Sequence, residues 1–136
     1  MLKLLLPIDG SERSKQSIDW IEKRYNPSDV QVTLLIVRED LDYLRSKEQF
    51  EEAKKEVLPI LHESSEILEG FDVKKEVRFG RAGEEILSYA EDYDIDTIVM
   101  TKSTKSGWVS TIGSVTTHVV KYAKSIVVIV PESMKK

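Results

Sequence analysis

The sequence predicts an α/β protein: a single open parallel sheet with helices on both of its faces. Three observations predict it. Runs rich in Leu, Ile and Val alternate with amphipathic helical stretches, the 30–37 run is almost continuously apolar, and turn residues punctuate the boundaries. Strands covered on both faces lose the alternation of a half-exposed sheet, and parallel neighbours need a crossover of helical length.

Leu4-Leu5-Leu6 reads as a short buried strand closed by Pro7, and Asp9-Gly10-Ser11-Glu12 supplies turn and helix-start chemistry. A first helix is expected over 12–23, with Ile18, Ile21 and the small Ser14 and Ser17 on one face and Trp20 at its flank. Asn26-Pro27-Ser28-Asp29 turns the chain into 30–37, a candidate central strand. Residues 38–46 read as a loop. Phe50, Ala53, Val57, Leu61, Ser64 and Leu68 then repeat every three or four residues through a long helix, which Pro59 is expected to kink.

Apolar residues at 73, 77 and 79 alternate within 72–79, predicting a strand with an exposed face at the sheet edge, ended by Gly80. A helix over 83–93 turns Ile86, Leu87 and Ala90 inward, and a strand over 95–100 follows a very short turn. Gly113-Ser114 opens a helix that carries Val115, Val119 and Ala123 on one face, and 125–130 makes the last strand before Pro131. The order is βαβαβαβαβ in one domain, 1–136. Such sheets carry their loop chemistry at the carboxyl ends of strands where strand order reverses, here between strands one and four.

Composition narrows the function classes. A hydrophobic share of 40% with 32% charged residues describes an ordinary globular chain. A net charge of −4 argues against broad electrostatic capture by nucleic acid or anionic membranes. The absence of cysteine excludes disulfides, thiolate metal ligands and thiol nucleophiles. No run is long enough to span a bilayer, and the apolar start is too short for a signal-peptide core, so the expected address is the cytoplasm.

The stretch from Met100 to Val115 is the richest in chemistry. It joins a buried strand to a helix entrance through a basic, hydroxyl-rich loop. The free backbone N–H groups at Gly113-Ser114 would attract an anion, and Lys102 and Lys105 could neutralise its charge. Equally, Gly and Ser start helices without binding anything, and paired lysines are usually solvated. Asp9 would stand beside this loop if strands one and four are neighbours; there it could hydrogen-bond a base or ribose, cap the first helix, or do both. Trp108 and Val109 would pack against the domain, a ligand or a second chain. Ser103, Thr104, Ser106, Ser110 and Thr111 are candidate phosphate acceptors. No Walker pattern, metal-ligand set around His62 or His118, serine nucleophile turn or catalytic carboxylate pair stands out, so no catalytic residue is assigned.

Over essentially its whole length the chain resembles the universal stress protein family. The resemblance is carried by 5–11 (Leu-Leu-Pro-Ile-Asp-Gly-Ser), 34–37, 80–86, 96–100, Gly113-Ser114-Val115 and 126–131. It implies a five-stranded parallel sheet in the order 3-2-1-4-5, the adenine nucleotide alpha hydrolase-like arrangement, and a homodimer joined through Ile126, Val127, Val128, Ile129 and Val130. Some members bind ATP through Gly, two residues, Gly, nine residues, then Gly-Ser or Gly-Thr. In this chain Thr101 and Thr104 stand at the first two glycine positions, and eight residues separate Thr104 from Gly113. By residue-to-residue match, Pro7, Asp9, Val37 and Met100 correspond to a base-and-ribose pocket, and Gly113, Ser114 and Val115 to its phosphate end. The expectation is a dimeric regulatory module with an altered nucleotide site and an unidentified protein partner. The alternatives are an ATP or AMP sensor, with magnesium if ATP binds, and, ranked last, a slow ATP hydrolase.

Overall fold

Leu4, Leu5 and Leu6 are all fully buried, yet they serve opposite faces of one sheet. The period of two along a strand sends Leu4 and Leu6 to one apolar cluster and Leu5 to another. That double burial explains why the run carries no polar alternation. The computed structural model describes residues 1–39, 44–101 and 113–131.

Among the described residues the strands are β1 (Leu2–Pro7), β2 (Val30–Arg38), β3 (Asp72–Phe79), β4 (Thr97–Thr101) and β5 (Ile126–Val130). The helices between them are α1 (Glu12–Arg24), α2 (Lys47–Ile67), α3 (Ala82–Asp92) and α4 (Ser114–Tyr122). The sheet is parallel throughout in the order β3-β2-β1-β4-β5. Leu4 pairs with Val32 on one side and Thr97 on the other, so strand order reverses at β1 and β4. β3 lies at an edge, as its exposed alternate residues predict.

One apolar layer joins Leu4, Leu6, Val32, Leu34 and Val99 to Ile18 and Ile21 of α1 and Leu61 of α2. The other joins Leu5, Leu35, Ile98 and Met100 to Ile86, Tyr89 and Ala90 of α3 and Val119 of α4. The buried side of α1 is the predicted one, Ser14, Ser17, Ile18 and Ile21. Ser11 caps this helix by accepting from the Ser14 N–H at 3.3 Å. A Ser46–Gln49 capping box starts α2, and Pro59 lies inside that helix.

Most boundaries lie within one residue of the sequence expectation; the larger differences are at β4, β1 and the buried face of α3. The fourth strand runs 97–101 rather than 95–100: Asp94 takes φ 52°, and the Ile95 N–H is drawn back to the α3 carbonyl of Ala90 at 2.9 Å. β1 extends to Leu2, where it pairs with Val30. On α3 Tyr89 is fully buried alongside the expected Ile86, while Leu87 is only partly covered.

Candidate functional site

The reversal of strand order opens a crevice at the carboxyl ends of β1 and β4, into which the starts of α1 and α4 also project. After β1 the chain must turn sharply, and Gly10 does so at φ 84°, a conformation that an L side chain resists. The Asp9 carboxylate stabilises the turn by accepting from the Ser11 N–H through Oδ1 at 2.9 Å. Its other oxygen, Oδ2, lies 3.8 Å from Arg13 Nη2.

Burial alone raises the Asp9 carboxyl. Hydrogen bonds from the Ser11 side chain and backbone, the Arg13 charge and the Ser14 side chain outweigh it and hold the group below its ordinary value of 3.8. Asp9 is therefore an acceptor-only carboxylate at neutral pH. Both roles weighed from sequence are compatible with this geometry, because Oδ1 orders the turn while Oδ2 makes a long ion pair with Arg13.

The crevice encloses a cavity of about 320 Å³. Pro7, Asp9, Val37, Met100, Thr101, Gly113, Ser114 and Val115 all line it, so every described residue assigned to the site from sequence reaches one wall or another. Lys102, Thr104 and Lys105 lie outside the described residues, as do Trp108, Val109 and the candidate phosphate acceptors of the same loop. Leu35, Val37, Ile86 and Met100 give an apolar side, whereas Ser11, Ser14, Ser114 and Thr116 bring hydroxyls. That pairing of an apolar slot with a few polar groups is the usual make-up of a small-molecule site.

At the far end, α4 begins on Gly113 in extended backbone with no side-chain cap. The first intrahelical bond runs from the Thr117 N–H to Gly113 O at 2.9 Å, so the preceding amides have no partner within the helix. They suit an anion. At α3 the situation differs, because the Glu39 carboxylate accepts from the Ala82 N–H and satisfies one amide of that helix start from within the chain.

Sequence reasoning missed Arg13, Ser11, Ser14, Leu35, Ala82, Ile86 and Thr116 as lining residues. Arg13 carried a signal, its i,i+4 spacing from Asp9 across the helix start. Ala82 and Ile86 reach the cavity through the α3 crossover, which local pattern does not place. Among the described residues no group of three or more His, Asp or Glu side chains is arranged to hold a metal ion. Nor is any described helix long and apolar enough to cross a membrane.

A doubly wound sheet with a cavity at its switch point and an uncapped helix start defines an open α/β domain whose candidate ligand site lies where strand order reverses. Family comparison makes the class specific: residues 1–131 match the model of the universal stress protein family, and the chain belongs to that family. Among solved structures it is similar to the hypothetical protein MJ0577, with 29% identity, 98% of each chain covered and a TM-score of 0.75. A universal stress protein in complex with cAMP shares the fold at 18% identity, with 97% of this chain and 98% of the other covered and a TM-score of 0.76. So does a universal stress protein family protein from Arabidopsis thaliana with AMP bound, at 18% identity, 98% and 93% coverage and a TM-score of 0.69. No curated protein matches the chain.

Proposed function

We propose that this protein is a cytoplasmic, dimeric regulatory module of the stress response whose cavity takes an adenine mononucleotide. One observation carries the reading: the β1 and β4 ends, the apolar Val37 and Met100 and the uncapped start of α4 meet around a single cavity. Val37 and Met100 offer a slot for a flat base, the Asp9 carboxylate an acceptor for ribose hydroxyls, and the Gly113 to Val115 amides a seat for phosphate. The cAMP and AMP held by the two fold relatives support an adenine ligand.

The size of the ligand follows from the loop. Thr101 and Thr104 replace glycines whose positive φ and missing Cβ allow close backbone approach to phosphate, and the loop is one residue shorter than the pattern. A triphosphate needs more of those amide contacts than a monophosphate. AMP is therefore the better fit than ATP. The same substitutions favour a second reading, an interaction module in which the nucleotide site is lost. Turnover is not part of either reading, since the chain offers no assigned general base.

The dimer reading rests on β5. This strand pairs only with β4 among the described residues, and Ile126 is 67% exposed beside it. Pairing with a second copy would cover an edge that otherwise invites aggregation. Light scattering during size-exclusion chromatography should give twice the chain mass; a monomer alone refutes it.

Calorimetry of AMP, ADP and ATP with magnesium, on nucleotide-stripped protein, tests the ligand. Saturable binding of AMP that Asp9→Ala weakens is the expected result. No heat at millimolar nucleotide would favour the interaction module.

A further inference from the structure

Arg13 is the one cation among the described residues that line the cavity, and its place in α1 is unfavourable. It lies in the first turn, where the helix dipole opposes positive charge. Its side chain is 31% exposed, so most of this arginine is covered. The guanidinium nevertheless makes one weak contact among the described residues, the 3.8 Å ion pair to Asp9, whose side chain is 63% exposed. A long, half-solvated pair of this kind contributes little and exchanges readily.

The planar guanidinium fork carries further donors, and a phosphate monoester offers the paired oxygens that suit it. Threonines stand at two glycine positions of the family's phosphate pattern, where glycine would allow close backbone approach to phosphate. A side chain from α1 can supply a phosphate contact without requiring glycine.

We propose that Arg13 is the phosphate-recognising residue of this cavity, leaving Asp9 for the 5′-phosphate of a bound nucleotide. Asp9 Oδ1 stays on the Ser11 amide, and Oδ2, released from Arg13, accepts from the ribose. The free protein thus holds its two ligand-binding charges against each other, and the ligand separates them. This inference rests on the nucleotide reading of the cavity and names its ligand class as nucleoside 5′-monophosphates, preferred over the corresponding nucleosides.

The test is calorimetry of the full chain with AMP and with adenosine, using wild type, Arg13→Gln, Arg13→Lys and Asp9→Asn, with melting temperatures recorded alongside. Wild type should favour AMP over adenosine by about 10- to 100-fold, the range of one charged hydrogen-bonded contact. Arg13→Gln should cut that preference several-fold by weakening AMP alone, leaving what the Gly113 to Val115 amides supply, and Arg13→Lys, which keeps charge without the fork, should lose less of it. Asp9→Asn should weaken both ligands yet raise the AMP to adenosine ratio, because Arg13 is no longer tethered. A ratio unchanged in Arg13→Gln, equal loss of both ligands, or a lower ratio in Asp9→Asn would overturn the role of Arg13 and leave the nucleotide site standing. Wild-type protein that binds neither ligand would overturn the nucleotide reading itself.

Discussion

Ser17 on α1 and Thr101 at the end of β4 are joined by a hydrogen bond between their hydroxyls, across the interface of helix and sheet. Thr101 faces α1 because it shares the parity of Val99, which belongs to the α1 and α2 layer. The residue at the first glycine position of the family pattern is thereby anchored to a helix. Ser17 is only 1% exposed, so its hydroxyl has no recourse to bulk water. Thr101→Val should cost about 1–3 kcal/mol in chemical denaturation, because it leaves Ser17 unpaired. Adding Ser17→Ala should recover most of that loss, and simple additivity of the two changes would contradict the pairing.

Gly83 and His118 set the distance between α3 and α4. A Cβ built at Gly83 would stand 2.7 Å from His118 Cδ2, 3.0 Å from Cγ and 3.2 Å from Cβ. A χ1 change can move the ring atoms Cδ2 and Cγ but not His118 Cβ, which shifts only with the α4 backbone. Gly83→Ala should destabilise the fold by about 1–3 kcal/mol through overpacking, with partial rescue by His118→Ala, which removes the two ring contacts and keeps Cβ. Failure of the second change to restore any of the melting temperature would place the strain elsewhere.

Tyr89 is 1% exposed, and its hydroxyl lacks a hydrogen-bond partner among the described residues. Burial pushes the phenol up; the Thr33 hydroxyl lies close enough to oppose this, although no hydrogen bond of standard geometry joins the two. The ring itself is well used, stacked on Tyr93 at 4.4 Å and lying under the Arg78 guanidinium at 5.0 Å. Tyr89→Phe keeps those contacts and removes an unpaired polar atom, so it should leave stability within about 0.5 kcal/mol or raise it. Tyr89→Ala should cost about 3–5 kcal/mol. A large loss in the Phe variant would mean that the hydroxyl is satisfied after all, by an internal water for instance.

The depressed Asp9 carboxyl makes stability depend on pH with a definite sign. A folded-state value below 3.8 means that the unfolded chain binds this proton more readily. The stabilisation is then fully present above 3.8 and is lost as pH falls through the folded value. Wild type should be more stable than Asp9→Asn at neutral pH, with the gap closing on acidification in that window. A gap that stays constant down to pH values well below 3.8 would show that the carboxylate charge contributes nothing.

The parts of this fold that periodicity controls were legible in the sequence. Ile18 and Ile21 with Ser14 and Ser17 mark the inner face of α1, and the unbroken 30–37 run marks a strand covered on both sides. Tyr89 was not legible as the deepest residue of α3, because a tyrosine reads as amphipathic and only the packing of the sheet against the helix decides its depth. The strand-end residues of the site were legible once strands one and four were taken as neighbours. Arg13, Ala82 and Ile86 were not, since they arrive from helices whose tilt over the crevice is a tertiary property.

The central claim is that adenine nucleotide occupies the crevice at the ends of β1 and β4, and amide chemical-shift mapping on labelled protein during an AMP titration tests it most directly. The account predicts saturable shifts concentrated at Asp9, Val37, Met100 and Gly113 to Val115, with β3 and the amino ends of the strands undisturbed. Shifts confined to another surface, or none at millimolar AMP, would contradict it.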